Sequence, residues 1–201
     1  MATYRPVKKW FVPLLAVLLG LWLGFSVFPS QQEYQYNTWG EELDQLKTKS
    51  YQVETEYKID GELASHSEGY WSKERSHFQV RTPVSDDTMF HFDIYFEGDY
   101  FYVKAGDDWQ QGEAPHRVLE EIAPLDDFFT WSKSLLEEAD EVRKTDNGAS
   151  TTYTASFDSF DQFDFRGTTL EKQADTTLVM NLEDDQLQSI IFEVQPERPD
   201  D

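Results

Sequence analysis

The chain has 201 residues, no cysteine and a strongly acidic composition, with 39 Asp and Glu against 17 Lys and Arg and a net charge of −22. Binding to DNA or RNA requires basic patches, so this charge excludes nucleic acid as a partner. Without cysteine the chain has neither a disulfide framework nor a thiol nucleophile. Aromatic residues make up 15% of the sequence. Disordered acidic segments are poor in aromatics, so we expect one folded domain with an ordinary core.

The N-terminal segment has the sequence of a membrane-spanning helix. Residues 1–9 carry Arg5, Lys8 and Lys9, and the run Trp10–Pro29 that follows has no charged residue. An α-helix of about 20 apolar residues spans the ~30 Å hydrocarbon core of a bilayer. Because basic flanks stay in the cytoplasm, we expect a single-pass protein of the cell membrane with a cytoplasmic N-terminus and an extracytoplasmic C-terminal domain.

A cleaved secretory signal is the alternative interpretation, since it also combines a basic start with an apolar middle. The apolar region of a signal peptide has ~7–15 residues and ends at a small-x-small site. The apolar run here is longer, and the exit sequence FSVFPSQQEY offers no Ala-x-Ala. We therefore predict a retained signal-anchor helix over residues 10–29. Under either interpretation the folded part lies outside the cytoplasm.

The rest of the chain divides into three parts. Residues 30–37 are predicted to be a short polar spacer, residues 38–195 the extracytoplasmic domain, and residues 196–201 an acidic tail. The length of the middle part suits one domain. We therefore expect a single folded unit beyond the membrane.

The domain is predicted to open with a helix and to continue as strands. Thr38 is a candidate N-cap, and Trp39, Leu43 and Leu46 lie at helical spacing on one apolar face. The residues that follow alternate between apolar and polar, which predicts strands of an antiparallel meander. The predicted strand segments are YQVETEYKI (51–59), SHSEGYWS (65–72), SHFQVRT (76–82), TMFHFDIYFE (88–97) and YFYVK (100–104).

Two helices and two hairpins are predicted after the meander. Pro124 lies inside a helical pattern that starts after Pro115, so this segment is predicted as two short helices with a break at residues 123–125. Strands resume in hairpins that turn at Asn147-Gly148 and at Asp184-Asp185. The segment DSFDQFDFRGTTLEKQA between the hairpins has no clear pattern. Together these elements predict an α+β fold.

The domain resembles the LolA/LppX-like envelope proteins in the order of its elements and in several sequence segments. These segments are LKTKSYQVETEY, GYWSKERSHFQV, DYFYVKAGDDWQQ and IAPLDDFF, together with the closing pair of long strands. The similarity covers about Trp39 to Gln195. It implies a curved antiparallel β-sheet, or half-barrel, that is covered by helices and encloses a hydrophobic concavity. The N-terminal membrane helix would replace the lipidated cysteine of the lipoprotein members.

The apolar faces of the strands supply candidate residues for this concavity. Such a stripe is either plain core or the wall of a ligand cavity. An open apolar cavity favours a lipid or acyl ligand. A filled core with an exposed apolar patch favours an envelope protein partner, as in a regulatory or assembly subunit that contacts another membrane protein. The candidate cavity residues are Phe90, Phe92, Ile94, Phe96, Phe101, Val103, Val179, Ile191 and Phe192.

The sequence offers no catalytic constellation. The 4 histidines lack metal-ligand spacing, and neither a Gly-x-Ser-x-Gly elbow nor a Gly-rich phosphate loop occurs. Asp158, Asp161 and Asp164 have helical spacing, but calcium takes about 6–8 oxygen ligands and the EF-hand order is missing. We favour a solvated acidic segment there over a weak cation site. We therefore expect no enzymatic activity, no cofactor and no metal.

Overall fold

The computed structural model describes residues 17, 31–85, 88–158, 163–166, 168–170 and 173–196. The predicted membrane helix lies outside these residues except for Val17, and the predicted tail lies outside them except for Pro196. None of the described helices is long and apolar enough to cross a membrane. Most of the described chain is antiparallel β-sheet with few helices, which confirms the coarse fold prediction.

The described elements begin with a helix and end with a long hairpin. The helices are α1 (Gln31–Leu46), α2 (Arg117–Ile122) and α3 (Phe128–Glu137). The strands before α2 are β1 (Tyr51–Ile59), β2 (Glu62–Trp71), β3 (Arg75–Ser85), β4 (Thr88–Glu97), β5 (Tyr100–Lys104) and β6 (Trp109–Glu113). The strands after α3 are β7 (Glu141–Asn147), β8 (Ser150–Phe157), β9 (Phe163–Phe165), β10 (Thr168–Leu170), β11 (Gln173–Glu183) and β12 (Gln186–Pro196).

The strands are divided between two main sheets. Antiparallel pairing joins β1 to β6 in chain order into a six-stranded sheet. The second sheet has four strands in the order β12-β11-β8-β7, and β9 pairs with β10 in a two-stranded ribbon. Consecutive antiparallel strands need only short turns, which explains why the six-stranded sheet follows the chain order. In the second sheet β8 pairs with β11, and the β9-β10 ribbon lies between them in sequence.

Helix α1 begins earlier than the sequence predicts and includes the predicted spacer from Gln31 onward. The predicted N-cap, Thr38, lies inside the helix, where its Oγ1 donates a hydrogen bond to the Tyr34 carbonyl oxygen at 2.8 Å. A threonine hydroxyl can bond the carbonyl one turn back as well as an amide ahead, so its presence does not define a helix start. The predicted apolar face is confirmed, because its three residues are fully buried: Trp39, Leu43 and Leu46.

The strand predictions are largely confirmed. Strands β1, β4 and β5 have the predicted bounds, and β3 extends past its predicted bounds at both ends. Strand β2 begins before its predicted start and ends one residue before its predicted end. The sequence pattern does not predict β6, since WQQGE is polar and does not alternate. This strand depends on a tertiary contact: a Cβ placed on Gly112 would lie 2.1 Å from Cζ of Phe101. Glycine is therefore what allows the Phe101 ring to pack across β6.

The predicted break at Pro124 and both predicted hairpins are confirmed. Between α2 and α3, the Asp127 carboxylate caps α3 by accepting the Thr130 backbone N–H at 3.0 Å. The same carboxylate forms an ion pair with Lys47, which directly follows α1. Burial alone would raise the pKa of Asp127, but the hydrogen bonds from Lys47 and Thr130 lower it below its usual value. This cap therefore joins α1 to α3.

The core lies between the helices and the inner faces of the two main sheets. Trp39 of α1 stacks on Tyr153 of β8 with ring centroids 5.4 Å apart. Phe129 of α3 contacts Tyr51 of β1 at 5.6 Å and Trp71 of β2 at 5.0 Å. The helices therefore cover one end of the inner face of the six-stranded sheet.

Candidate functional site

On the inner face of the six-stranded sheet, residues that are paired with one another on neighbouring strands form rows of side chains across the sheet. The first row is Tyr51, Trp71, Ser76, Phe96, Phe101 and Gly112. The second row is Val53, Gly69, Phe78, Ile94, Val103 and Gln110. The third row is Thr55, Ser67, Val80 and Phe92. The fourth row is Tyr57, Ser65, Thr82 and Phe90.

Along β4, burial decreases from the first row to the fourth, whereas Trp71, Ser67 and Ser65 on β2 are all buried. Phe96 in the first row is 9% exposed and Ile94 in the second is 0% exposed. Phe92 in the third row is half-buried, and Phe90 in the fourth is 49% exposed. We call the first two rows the closed end and the last two rows the open end. The same face of the same strand is thus core at one end and accessible at the other.

Aromatic side chains from α3 fill the closed end. Trp71 contacts Phe128 at 5.1 Å and Phe129 at 5.0 Å between ring centroids. Its indole Nε1 donates a hydrogen bond to the Asp126 carbonyl oxygen at 3.1 Å, so the one polar atom of this side chain is satisfied. Around Trp71, this end is therefore packed core.

The nine sequence-predicted cavity residues are not brought onto one surface. The candidates on β4 and β5 lie on the inner face just described, from the buried Phe96 to the exposed Phe90. On β11, Leu178 and Met180 are fully buried, so Val179 between them faces the other side of its sheet.

On β12 the predicted candidates divide between the two faces. Val179 pairs with Ile191, which is 44% exposed, whereas Leu178 pairs with Phe192, which packs against the core. The structure therefore brings Phe192 to the interior and leaves Val179 and Ile191 on the outer face. Because residues 190–192 are apolar at successive positions, alternation alone could not tell these faces apart.

Four half-buried aromatic side chains from different elements meet at the open end. Phe165 of β9 contacts Tyr57 of β1 at 5.8 Å and Trp131 of α3 at 5.4 Å. Trp131 in turn contacts Phe192 of β12 at 5.2 Å, edge to face. We call Tyr57, Trp131, Phe165 and Phe192 the aromatic cluster. It links the two main sheets beside the fourth row.

Arg166 places its guanidinium against this cluster. Its Nε donates a hydrogen bond to the Ala123 carbonyl oxygen at 2.7 Å, and its Nη1 donates one to Ser65 Oγ at 2.6 Å. The guanidinium carbon also lies 4.5 Å from the centroid of the Tyr57 ring, in a cation–π contact. Burial lowers the pKa of Arg166 to about 10, which leaves the side chain protonated at neutral pH.

Of the aromatic cluster, the sequence pattern identified only Phe192 as a candidate, and it did not identify Arg166. Arg166 and Phe165 lie in the segment without a clear pattern, and Trp131 has the helical spacing of a core residue. One sequence feature could have pointed to Arg166: it is one of two basic residues in a segment rich in Asp and Phe. Only the fold shows that this residue reaches β1 and β2.

A second concave surface lies on the outer face of the six-stranded sheet. It is an open groove of about 580 Å³. Carboxylates, amides, Tyr70 and His77 form most of its lining, so it lacks the apolar wall that an acyl chain needs. The lining residues are Gln52, Val53, Glu54, Glu68, Gly69, Tyr70, His77 and Gln79.

The acidic triplet considered from the sequence cannot be assembled, because Asp161 lies outside the described residues. The Asp158 backbone N–H donates a hydrogen bond to the Asp140 carboxylate at 2.6 Å. Within the described part of the chain, no group of three His, Asp or Glu side chains is placed to hold a metal ion.

The open end thus combines exposed and half-buried aromatic surface with a protonated guanidinium. Apolar walls with a few placed polar groups are typical of sites for small hydrophobic ligands. No family model matches the chain, and no curated protein matches it either.

Proposed function

We propose that the chain is a membrane-anchored, non-enzymatic protein of the LolA/LppX-like type, whose extracytoplasmic domain binds a hydrophobic ligand at the open end. The observation that carries this proposal is the decrease in burial along β4 from Ile94 to Phe90. A scaffold that used its inner face only as core would bury both ends alike. Here the closed end is filled, and the open end keeps aromatic surface accessible to a ligand.

Exposed apolar residues at the same end of the sheet support this assignment. Ile59 ends β1, Leu63 begins β2, Val84 lies near the end of β3 and Phe90 lies near the start of β4, and all four are exposed. We call these four residues the rim. Single exposed apolar residues are ordinary, but several at one edge of a sheet mark an interaction site. An acyl chain that enters at the rim would next meet the half-buried Phe92 and the aromatic cluster.

A photoactivatable fatty acid tests this proposal. The full chain in phosphatidylcholine nanodiscs would be labelled with palmitate that carries a diazirine near the end of its chain, and the labelled peptides would be mapped by mass spectrometry. We expect saturable labelling of the rim and of Phe92. Phe90→Ser should reduce the labelling several-fold because it removes accessible aromatic surface from the site.

Ile191→Ser is the matched control for this experiment. Ile191 is 44% exposed, close to the 49% of Phe90, but it lies on the outer face of the other sheet. Its substitution should leave labelling unchanged. Labelling that does not saturate, or that both substitutions reduce alike, would contradict a ligand site at the open end.

The topology is a separate part of the proposal. The basic flank and the uncharged run Trp10–Pro29 support a retained anchor with the domain outside the cytoplasm. A reporter enzyme fused after Asp201 should be active only when it requires an extracytoplasmic location. A mature N-terminus near Gln31, found by mass spectrometry, would remove the anchor and leave a secreted domain.

A regulatory or assembly subunit is the second candidate function, and the filled closed end favours it. In this alternative the rim docks on another membrane protein and no ligand enters. Native mass spectrometry of the purified full chain distinguishes the two functions. A co-purified lipid would support ligand binding, whereas a stoichiometric protein partner without lipid would support the subunit function.

A further inference from the structure

Arg166 differs from other arginines of the domain in its partners. Arg143 pairs with Glu141 at 2.8 Å, and Arg117 pairs with Glu121 at 3.2 Å, both on the exposed surface. Arg166 is the more buried side chain, yet its hydrogen bonds go to a backbone carbonyl and a serine hydroxyl. No carboxylate contacts it among the side chains that the structure describes, although the chain has 39 acidic residues.

A buried charge without a counter-charge is costly, because desolvation is then not offset by an ion pair. Among the side chains that the structure describes, no carboxylate offsets the charge of Arg166, so its guanidinium is well suited to bind an anion from outside the chain. The guanidinium has five N–H donors, and the two hydrogen bonds described use Nε and Nη1, so Nη2 keeps donor capacity.

A second polar group with unused hydrogen-bonding capacity lies close by. Ser67 is buried in the third row, and its Oγ has no hydrogen-bond partner in the described structure. It lies two residues along β2 from Ser65, on the same face, and therefore about 6–7 Å from the hydroxyl that Arg166 binds. Most buried hydroxyls are hydrogen-bonded, so an unpaired one on the same face as the hydroxyl that Arg166 binds indicates a place for an oxygen ligand.

We propose that the ligand of the open end is a single-chain amphiphile with an anionic head, and that Arg166 and Ser67 bind the oxygens of that head. This inference rests on the proposed ligand-binding function. A carboxylate or a phosphate monoester has the required chemistry, because both accept charge-assisted hydrogen bonds from a guanidinium.

The geometry also assigns a direction to the chain of the amphiphile. Ser65 and Ser67 place the head on the β2 side of the open end. Neighbouring strands are ~4.8 Å apart, so β4 lies about 10 Å away across β3. The apolar chain would extend across the rows toward Phe92 and Phe90, with its far part at the rim.

Two probes with the same chain and different heads test this inference. One is the diazirine-bearing palmitate described above, and the other is hexadecanol with the diazirine at the same carbon. For each probe, the concentration that gives half-maximal labelling of the full chain would be compared between variant and wild type. This ratio is independent of how the probe partitions into the nanodisc.

Arg166→Gln should raise the half-labelling concentration of palmitate about 10- to 100-fold, the loss expected for a charge-assisted hydrogen bond. The value for hexadecanol should change less than about twofold. Arg143→Gln is the matched control and should change neither, because Arg143 lies on the surface with Glu141. Ser67→Ala should weaken palmitate alone, by a few-fold, and it provides the test if Arg166→Gln does not fold.

Each other outcome would overturn the inference in a recognisable way. If Arg166→Gln and Ser67→Ala weaken both probes equally, these side chains only support the aromatic cluster. If acetate or inorganic phosphate displaces palmitate at micromolar concentration, the site binds a free anion and the apolar chain is incidental. If neither probe labels the chain saturably, the proposed function itself fails, and the head-group site fails with it.

Discussion

The closed and open ends of the six-stranded sheet differ although the same strands run through both. At the closed end Trp71 is covered by Phe128 and Phe129 of α3. At the open end Tyr57 is covered only in part, by Phe165 and the guanidinium of Arg166. Alternation continues the aromatic and aliphatic side chains of β4 along the inner face from Phe96 to Phe90, but the elements that pack against this face decide whether it becomes core or binding surface.

The residues of β1 and β2 contribute to this difference. Their inner positions at the closed end are the large side chains Tyr51 and Trp71, and those toward the open end include Thr55, Ser65 and Ser67. These side chains are smaller, and Ser65 and Ser67 are nevertheless buried. The comparison therefore predicts that substitutions at the closed end mainly lower stability, whereas substitutions at the open end mainly lower ligand binding.

The largest expected effect is on the closed end. Trp71→Ala should lower the free energy of unfolding by about 3–5 kcal/mol, because it opens a cavity beneath α3. Phe90→Ala, an aromatic residue on the same face, should change it by no more than about 0.5 kcal/mol. Denaturant unfolding of both variants measures the difference. Equal losses would show that the open end is core as well.

A glycine substitution should have the next largest effect. A Cβ on Gly69 would lie 2.0 Å from the backbone carbonyl oxygen of His77, so Gly69→Ala must separate β2 from β3. We expect a loss of at least about 1–3 kcal/mol in the free energy of unfolding.

Gly40→Ala is the control of opposite sign. Gly40 lies within α1, and the nearest neighbour of a new Cβ is Lys133 Cε at 3.9 Å. Alanine should stabilise the helix by about 0.5–1 kcal/mol. Thermal unfolding of both variants would measure the two shifts. A stabilising Gly69→Ala would contradict the close approach of β2 and β3.

The Asp127 cap predicts a pH dependence of the closed end. The folded-state pKa of Asp127 lies below the value of ~3.9 expected for the unfolded chain. Its stabilising contribution is therefore fully present above about pH 4 and is lost as the pH falls through the folded-state pKa. Asp127→Ala should cost about 0.5–2 kcal/mol at neutral pH, because it also removes the helix cap.

Asp127→Asn separates the charge from the cap, since asparagine caps helices about as well as aspartate. This variant should lose less stability between pH 6 and pH 3 than the wild type does. Free energies of unfolding at both pH values give the comparison. An unchanged pH dependence would mean that the ion pair with Lys47 contributes nothing measurable.

Salt should have the smallest effect and should act on both ends alike. A net charge of −22 implies repulsion among surface carboxylates, and ions screen it beyond ~10 Å at 0.1 M. The melting temperature should rise modestly with sodium chloride from low to moderate concentration. A melting temperature that stays flat or falls would show that repulsion does not limit stability.

Local patterns in the sequence were sufficient for much of the fold. Strands β1, β4 and β5 have their predicted bounds because alternation and turn residues are local signals. The break at Pro124 follows from the covalent structure of proline. The sequence pattern did not predict strand β6, because its pairing depends on how Phe101 of β5 packs against Gly112, which is a contact between strands.

By itself, the sequence determined which face of each alternating strand is apolar, and it predicts a membrane anchor outside the described residues. It could not separate the two faces of β12, where Ile190, Ile191 and Phe192 are apolar in succession. Nor could it place Arg166, because a side chain that lies 101 residues from Ser65 in sequence reaches it only in the folded chain. Alternation is encoded residue by residue, whereas burial and the partners of a charge depend on which distant elements pack together, and only the tertiary structure decides that.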